Sequence, residues 1–203
     1  MKTTARSFLA VLGALALGTC LFAAAELGKP APEFTLVDAS GANRSLSEFK
    51  GKVVVLEWVN LGCPYVKHQY DIGNMQRLQK TYTGREVVWL SICSSASGKQ
   101  GYHEPAAWKS TMAERGMGST AVLIDAEGTV GRLYGAKTTP HMFVIDAQGT
   151  RAYNGALDSA ATTNRDETVR AKNHVAAAVD ALLAGKAVEV ASTRPYGCGI
   201  KYK

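Results

Sequence analysis

The chain has 203 residues, of which 46% are hydrophobic and 20% are charged, and this composition is typical of one globular domain with a sizeable core. The formal net charge is +6, and outside the first 25 residues there are 21 basic and 17 acidic residues. The basic residues form neither a run nor a stripe interleaved with aromatic residues, which excludes a nucleic-acid partner.

The first 25 residues predict a secretory signal peptide. Lys2 and Arg6 precede an apolar run over residues 8–25, which ends in three alanines. A charged start, an apolar centre and small residues before the cut are the pattern of an exported protein. We therefore expect cleavage after Ala25 and a periplasmic or secreted location. The alternative is an uncleaved membrane anchor, since the run approaches the length that spans a bilayer, and only this alternative implies contact with a membrane.

Three cysteines lie outside this segment, namely Cys63, Cys93 and Cys198. An odd number in an oxidising compartment suggests one pair and one buried or reactive thiol. The sequence contains no Cys-x-x-Cys and no cysteine–histidine cluster at zinc spacing. We therefore expect neither a structural metal site nor a cofactor.

The hydrophobic pattern predicts alternating strands and helices in the first half of the chain. Apolar stretches at 34–37 and 46–49 flank a Ser40-Gly41 turn signal and indicate an N-terminal β-hairpin. The β-branched and aromatic run 53–59 indicates a strand buried on both faces, and the run 87–92 indicates a second one. Between them, apolar residues at near-helical spacing predict a helix over 64–82, with Pro64 in its first turn.

The second half continues the alternation. We predict a short helix over 104–115, a strand over 121–124, a hairpin of strands 142–145 and 151–153, and an amphipathic helix over 166–184. This order of elements indicates a mixed α/β fold over residues 26–190. Residues 191–203, which include Cys198, have no periodicity and are expected to form a C-terminal tail.

The most informative junction is the segment 57–67, where a buried strand, a short turn and Cys63 lead into the predicted helix. The N–H groups and the dipole at a helix N-terminus stabilise an anion, which lowers the pKa of a thiol placed there. A thiolate is the nucleophile of disulfide exchange. We therefore predict that Cys63 is reactive; the alternative is an inert, half-buried cysteine.

Several motifs, in this order, resemble the thioredoxin-like superfamily, and specifically the peroxiredoxin-like branch of the redoxin group (the AhpC/TSA-like proteins). They are Gly-Lys-Pro-Ala-Pro-Glu-Phe-Thr-Leu at 28–36, Gly-Lys-Val-Val-Val-Leu at 51–56, Asn-Leu-Gly-Cys-Pro-Tyr-Val at 60–66, Thr-Pro-His-Met-Phe-Val-Ile-Asp at 139–146 and Pro-Tyr-Gly-Cys-Gly-Ile-Lys-Tyr at 195–202. The resemblance implies an α/β thioredoxin-like fold: a central mixed β-sheet flanked by helices, with an N-terminal β-hairpin extension. It places Cys63 at the C-terminal end of a core strand.

Two departures from the family pattern narrow the activity that the resemblance implies. Val66 stands where thioredoxins carry the second cysteine of Cys-x-x-Cys, so Cys63 is an attacking cysteine without its usual resolving partner. Asn60 and Leu56 stand where typical peroxiredoxins carry the threonine and the proline that orient peroxide. The resemblance therefore implies a thiol–disulfide oxidoreductase or a weak thiol peroxidase. Its partners would be protein or small-molecule thiols and disulfides, or a peroxide.

The resemblance also implies residues that contact the substrate. Pro140 matches the proline that is cis in thioredoxin-like folds and packs against the active cysteine. This arrangement would leave the backbone of Thr139 free to pair with an incoming chain. We expect Thr139 and Pro140, together with Pro64 and Asn60, to form the substrate-binding set.

Glu57 and a second cysteine complete the predicted catalytic set. Glu57 matches a buried acid that moves a proton during exchange in thioredoxins, and a raised pKa would suit it as a base. The alternative is an ion pair with a nearby lysine.

Two cysteines are candidates for resolving Cys63. Cys198 lies in a tail segment flanked by glycines that give it flexibility, whereas Cys93 ends a strand that neighbours the strand of Cys63. We expect Cys198 to resolve Cys63, with Cys93 as the alternative, since distance decides between them.

We predict from these features an exported, thiol-based redox protein that acts through Cys63. One alternative is a thioredoxin-fold binding or chaperone-like module without turnover, which uses the groove beside Cys63 and Pro140. Another is a metal-handling protein with Cys63 and either His141 or His68 as ligands, although scattered soft ligands disfavour it. The same two histidines are also candidates for electrostatic support of a Cys63 thiolate.

Overall fold

The computed structural model describes residues 26–203, so the predicted signal peptide lies outside the described part of the chain. The strands of the central sheet are β1 (Thr35–Asp38), β2 (Asn43–Ser45), β3 (Val54–Trp58), β4 (Val88–Cys93), β5 (Ala121–Ile124), β7 (His141–Ile145) and β8 (Arg151–Gly155). They form one mixed sheet in the order β2-β1-β5-β4-β3-β7-β8. Two short strands, β6 (Thr138–Thr139) and β9 (Cys198–Gly199), form a separate pair.

The centre of the sheet is formed by the two most hydrophobic stretches of the sequence. β3 and β4 pair in parallel, with Val54 opposite Val88 and Trp58 opposite Ile92, and every residue of both strands is buried. Burial on both faces explains why these stretches are continuously apolar rather than alternating. β7 pairs antiparallel with the other side of β3 and brings His141 opposite Trp58.

Helices cover both faces of this sheet. They are α1 (Pro64–Asp71), α2 (Asn74–Thr83), α3 (Pro105–Glu114), α4 (Thr129–Tyr134), α5 (Arg165–Arg170) and α6 (His174–Leu183). Side chains of α1, α2, α3 and α6 join one apolar cluster, whereas α4 packs into a second cluster on the opposite face. This layered α/β arrangement is the one that the sequence predicts.

Two predicted helices are each divided into two shorter ones. The helix predicted over 64–82 breaks between α1 and α2, where Gly73 adopts a left-handed φ of 75°. The helix predicted over 166–184 breaks between α5 and α6, where the Asn173 side chain accepts a hydrogen bond from the Ala176 N–H at 2.7 Å and so caps the start of α6. A local cap or turn therefore interrupts an otherwise continuous apolar pattern.

The predicted N-terminal hairpin is present, but its second strand lies earlier than expected. β1 pairs with β2, with Thr35 opposite Ser45. The apolar stretch Leu46–Phe49 is a 3₁₀ helix instead of a strand, because Ser45 and Glu48 form a capping box at its start. β1 also pairs with β5, so the hairpin extends the central sheet.

The C-terminal tail lies along the domain over its whole length. Near its start, the Asn154 N–H donates to the carbonyl oxygen of Ala191 at 3.0 Å, and near its end the Ala96 N–H donates to that of Lys201 at 2.8 Å. Between these points β9 pairs with β6. The tail therefore crosses the end of the sheet at which the chain leaves β3 for α1.

Candidate active site

The turn after β3 places Cys63 at the start of α1. Cys63 is the N-cap residue of α1, and the exposed Pro64 lies in its first turn. The Asn60 side chain holds this turn: its Oδ1 accepts from the Gly62 N–H at 2.8 Å, and its Nδ2 donates to the Gln100 carbonyl oxygen at 3.2 Å. Asn60 is only 1% exposed. Of the two predicted substrate contacts in this turn, Pro64 reaches the surface and Asn60 is committed to the turn itself.

The sulfur of Cys63 is buried against the proline segment. Cys63 Sγ donates to the Thr139 carbonyl oxygen at 3.0 Å, and the residue is 0% exposed. The Thr139–Pro140 peptide bond is cis, as the resemblance implied. The structure therefore brings Cys63, Thr139 and Pro140 together.

The tail brings Cys198 to the same place. β9 pairs antiparallel with β6, with Cys198 opposite Thr139, and the Cys63 and Cys198 thiols are close enough for each to shift the pKa of the other. Cys93 donates its thiol to the carbonyl oxygen of Gly101 at 3.3 Å instead. The expectation that the backbone of Thr139 is free for an incoming chain is therefore wrong for this state, because the tail strand already pairs with it.

The two neighbouring thiols have opposite pKa shifts. Burial raises the pKa of Cys63, but the Cys198 thiol, the N–H groups of Val66 and Cys198, and the Thr139 hydroxyl outweigh it, so the pKa lies below its ordinary value of 9.0. Burial, the hydrogen bond to Cys63 and the charge of Cys63 raise the pKa of Cys198 to about 11. Of the two thiols, Cys63 is therefore the one that ionises more readily, and Cys198 is the one that keeps its proton.

Glu57 is a fully buried carboxyl group surrounded by neutral hydrogen-bond donors. Its Oε2 accepts from Gln79 Nε2 at 3.0 Å, Trp89 Nε1 at 2.8 Å and Ser91 Oγ at 2.9 Å, and its Oε1 accepts from the Tyr70 hydroxyl at 3.3 Å. Burial raises the pKa of Glu57, and these hydrogen bonds offset the increase only in part. The alternative of an ion pair with lysine is wrong, since every one of these partners is uncharged. None of them is a cysteine.

The two histidines considered for the site lie elsewhere. His141 Nδ1 accepts from the Lys137 N–H at 3.2 Å, and its Nε2 lies 2.8 Å from Asn154 Oδ1, which is the pattern of a neutral imidazole. His68 Nε2 lies 3.0 Å from the hydroxyl of Thr168 on α5. Within residues 26–203, no group of three or more His, Cys, Asp or Glu side chains is arranged to hold a metal ion.

His141 is expected to make the protein sensitive to acid. Burial lowers its pKa from 6.5 to about 4, so the unfolded chain binds this proton below pH 6.5 and the folded protein only below about pH 4. The stability linked to His141 is therefore present above pH 6.5 and is lost, by about 3 kcal/mol, as the pH falls to 4. In urea unfolding at pH 7 and pH 4.5, His141→Gln should lose less stability than the parent protein. His68→Gln, at a half-exposed histidine, is the control, and an unchanged acid loss in His141→Gln contradicts the prediction.

Tyr196 and Gly197 hold the tail over the site, and neither role was predicted from the sequence. The Tyr196 hydroxyl donates to Asp158 Oδ1 at 2.6 Å, and its ring centroid lies 5.7 Å from that of Tyr65. Gly197 has a φ of 120°, and a Cβ at this position would collide with the Thr139 carbonyl oxygen. Its role is close approach of two backbones, whereas the sequence analysis assigned it flexibility. The sequence feature that could have indicated this close approach is the glycine between Tyr196 and Cys198, since only glycine lets two backbones come so near.

The fold and the site define the class of protein: a thioredoxin-like fold with a cysteine at the start of the helix that follows a core strand, facing a cis-proline. Solved structures that share this fold include the following two. One is a hypothetical protein from Sinorhizobium meliloti 1021, with 26% identity, a TM-score of 0.76 and coverage of 89% of this chain and 97% of that one. The other is an uncharacterized conserved protein from Geobacillus kaustophilus, with 28% identity, a TM-score of 0.76 and coverage of 95% and 98%.

The chain belongs to the AhpC/TSA family, whose sequence profile matches residues 27–153. Two relatives carry the name Thiol-disulfide oxidoreductase ResA. The protein of Geobacillus thermodenitrificans (strain NG80-2) is 27% identical over 158 residues, which is 71% of this chain and 81% of that protein. The protein of Geobacillus kaustophilus (strain HTA426) is 27% identical over 133 residues, or 62% and 67%. The predicted family is confirmed, and the relatives support thiol-based redox chemistry.

Proposed function

We propose that this protein is a thiol–disulfide oxidoreductase in which Cys63 attacks the substrate and Cys198 resolves the product. The observation that carries the proposal is the pairing of Cys198 with Thr139, whose carbonyl oxygen accepts from the Cys63 thiol at 3.0 Å. This pairing brings two free thiols together, one with a lowered and one with a raised pKa. A thiolate beside a protonated thiol has the asymmetry that disulfide exchange needs. The names of the two relatives support the same class of reaction.

The reaction proceeds in two exchanges. The Cys63 thiolate attacks one sulfur of a substrate disulfide; a bond from Cys63 to the substrate forms as the substrate S–S bond breaks, and the other sulfur leaves as a thiolate. The Cys198 thiol then transfers its proton to the departing sulfur and attacks Cys63 Sγ. This step forms the Cys63–Cys198 disulfide and releases the second substrate thiol. Two electrons pass from the protein to the substrate, and the reverse sequence oxidises a dithiol.

The surrounding residues suit disulfide exchange better than peroxide reduction. Thr139 orients the Cys63 thiol through its carbonyl oxygen, and of the two neighbouring prolines Pro64 is exposed and Pro140 is buried. Asn60, which stands where peroxiredoxins carry the threonine that orients peroxide, has its side chain bound to the turn. We also propose that Glu57, with its raised pKa, acts as a base in the exchange.

We propose in addition that the protein is exported. Residues 1–25 carry the charged start, apolar centre and terminal alanines of a signal peptide. None of the helices in residues 26–203 combines the length and the apolar character that a membrane-spanning helix needs. In an oxidising compartment, the partners would be protein or small-molecule thiols and disulfides.

Mass mapping of the disulfides, before and after a mild oxidant, tests the proposed pair. We expect the oxidant to form a Cys63–Cys198 bond that a reductant reverses and that Cys63→Ser cannot form, while Cys93 stays a thiol. A Cys63–Cys93 bond would overturn the choice of resolving cysteine. A Cys63 that stays free and unreactive throughout would overturn the redox function, and a thioredoxin-fold binding module would then explain the groove better.

A further inference from the structure

We propose that residues 194–201 of the tail are a built-in substrate strand, and that the partner of Cys63 is an extended polypeptide that displaces this strand from β6. The inference rests on the proposed function and deepens it, because it names the class of partner and the segment with which that partner competes.

The tail closes the site in the state described here. Cys63 is 0% exposed, and the edge of β6 beside it is occupied by β9, with Cys198 opposite Thr139. A substrate cysteine attacked by Cys63 has to come to the place that Cys198 now holds. The tail therefore has to leave before any substrate sulfur reaches Cys63.

The middle of the tail is held by main-chain hydrogen bonds and by the Tyr196 hydroxyl, which donates to Asp158 Oδ1 at 2.6 Å. In addition to the β6–β9 pair, the Ile200 N–H donates to the Lys137 carbonyl oxygen at 3.2 Å, and the Ala96 N–H donates to the Lys201 carbonyl oxygen at 2.8 Å. Any extended polypeptide can replace such hydrogen bonds by adding its own strand to the edge. A small disulfide such as oxidised glutathione gains little to offset the cost of opening the tail, so it reaches Cys63 only in excess and during transient opening.

The tail also defines the side chains that fit this edge. At the position before the cysteine, Gly197 lies so close to the Thr139 carbonyl oxygen that a Cβ has no room. One residue earlier, the Tyr196 ring packs beside Tyr65. A strand that replaces the tail therefore fits best with an aromatic residue, a glycine and a cysteine in this order.

Side-chain contacts at both ends keep the tail attached while its middle opens. Before the strand, Thr193 Oγ1 lies 2.6 Å from the Tyr153 hydroxyl. After it, the Tyr202 hydroxyl donates to the Ala136 carbonyl oxygen at 2.9 Å, and the Arg132 guanidinium lies 4.7 Å from the centre of the Tyr202 ring. Cys198 therefore stays near Cys63, ready to resolve a mixed disulfide once the partner strand has reacted.

Two glycine variants of the full chain test whether the tail closes the site. Gly197→Ala places a Cβ against Thr139 at a φ of 120°, whereas a Cβ at Gly199 meets nothing within 4 Å, so Gly199→Ala is the matched control. We expect iodoacetamide to alkylate Cys63 in the reduced protein about tenfold faster in Gly197→Ala than in the parent, because only glycine adopts this backbone conformation readily. Gly199→Ala should match the parent. Cys63, Cys93 and Cys198 are counted separately on tryptic peptides, and a still-protected Cys93 shows that the core of the variant is folded.

A synthetic peptide then tests the class of partner. The peptide Arg-Pro-Tyr-Gly-Ser-Gly-Ile-Lys copies the tail with serine for the cysteine, and its matched control has valine for the first glycine. We expect the first peptide to slow alkylation of Cys63 in Gly197→Ala toward the parent rate, and the control peptide to have no effect. Failure of both peptides overturns the polypeptide partner, and equal protection by both overturns the requirement for glycine.

The outcomes separate this inference from the proposed function. Equal alkylation of Cys63 in Gly197→Ala, Gly199→Ala and the parent overturns the closed tail, and it leaves the Cys63–Cys198 disulfide to be judged by mass mapping. Accelerated alkylation in Gly197→Ala together with no disulfide on oxidation supports the closed tail and overturns the redox pair.

Discussion

Replacing Glu57 with leucine is expected to lower the free energy of unfolding by about 4 kcal/mol. The leucine removes the acceptor of four buried hydrogen bonds, which are donated by the Tyr70 hydroxyl, the Gln79 amide, the Trp89 indole and the Ser91 hydroxyl. Glu57→Gln is the matched control, because an amide oxygen at the position of Oε2 keeps three of these hydrogen bonds. Its cost should stay near 1 kcal/mol in urea unfolding at pH 7. A similar loss in both variants contradicts the donor network as the cause.

The pH dependence of the same variants checks the raised pKa of Glu57. The folded protein holds this proton more tightly than the unfolded chain, so the contribution of Glu57 to stability is fully present below its ordinary pKa of 4.5 and is lost as the pH rises through the raised value. Glutamine has no such proton. We therefore expect Glu57→Gln to gain stability relative to the parent as the pH is raised from 4 to 8. Parallel stability curves contradict the raised pKa.

Glu57→Gln also separates a base from a structural acid. The hydrogen bonds of Glu57 end at neutral side chains of the core, so a role in proton transfer has to act through other groups. A slower thiol exchange in a stable Glu57→Gln protein, with a shifted pH profile, supports the base role. An unchanged profile limits Glu57 to holding β3, β4 and the first two helices together.

Strands and helices that are marked by a long hydrophobic pattern could be predicted from the sequence. Breaks and turns that depend on a single residue could not. The continuous apolar runs of β3 and β4 indicate buried strands because both faces of a central strand are covered. The break at Gly73 lies within an apolar pattern that continues on both sides. α4 has only six residues, which is too short for a helical period to be recognised.

Residues of the site that stand in local motifs were predictable, and contacts between distant parts of the chain were not. Cys63 and Pro140 stand in local motifs, so their roles could be inferred without knowledge of the tertiary structure. The burial of Cys63 under the tail depends on the pairing of Cys198 with Thr139, residues that are far apart in sequence. No hydrophobic period marks that contact, because the tail is held by main-chain hydrogen bonds, by the close approach of Gly197 and by single polar contacts such as that of Tyr196 with Asp158. The role of Asn60 in holding the turn was not predicted for a related reason, since its partner Gln100 lies on another loop.

Replacing Cys198 with serine is expected to stop the reaction at the mixed disulfide. With an excess of oxidised glutathione, a symmetric disulfide, the parent protein should release about two glutathione thiols per chain, because the second exchange follows the first. Cys198→Ser should release about one and keep a glutathione on Cys63. The lifetime of this adduct should increase at least about a hundredfold, since the resolving thiol that acts within the molecule is lost. Thiol release and the mass of the Cys63 peptide are the measurements.

Cys93→Ser is the matched control for this experiment, because it removes a thiol of the same core that lies against Gly101 and not against Cys63. We expect it to release thiols and close the Cys63–Cys198 bond like the parent. Burial raises the pKa of Cys93, so this thiol is also a poor nucleophile at neutral pH. If Cys93→Ser stalls at the mixed disulfide while Cys198→Ser completes the reaction, then Cys93 resolves Cys63, and the tail would have to swing away to admit it. If neither variant stalls, the second exchange uses an external thiol, and the pairing of β9 with β6 serves only to close the site.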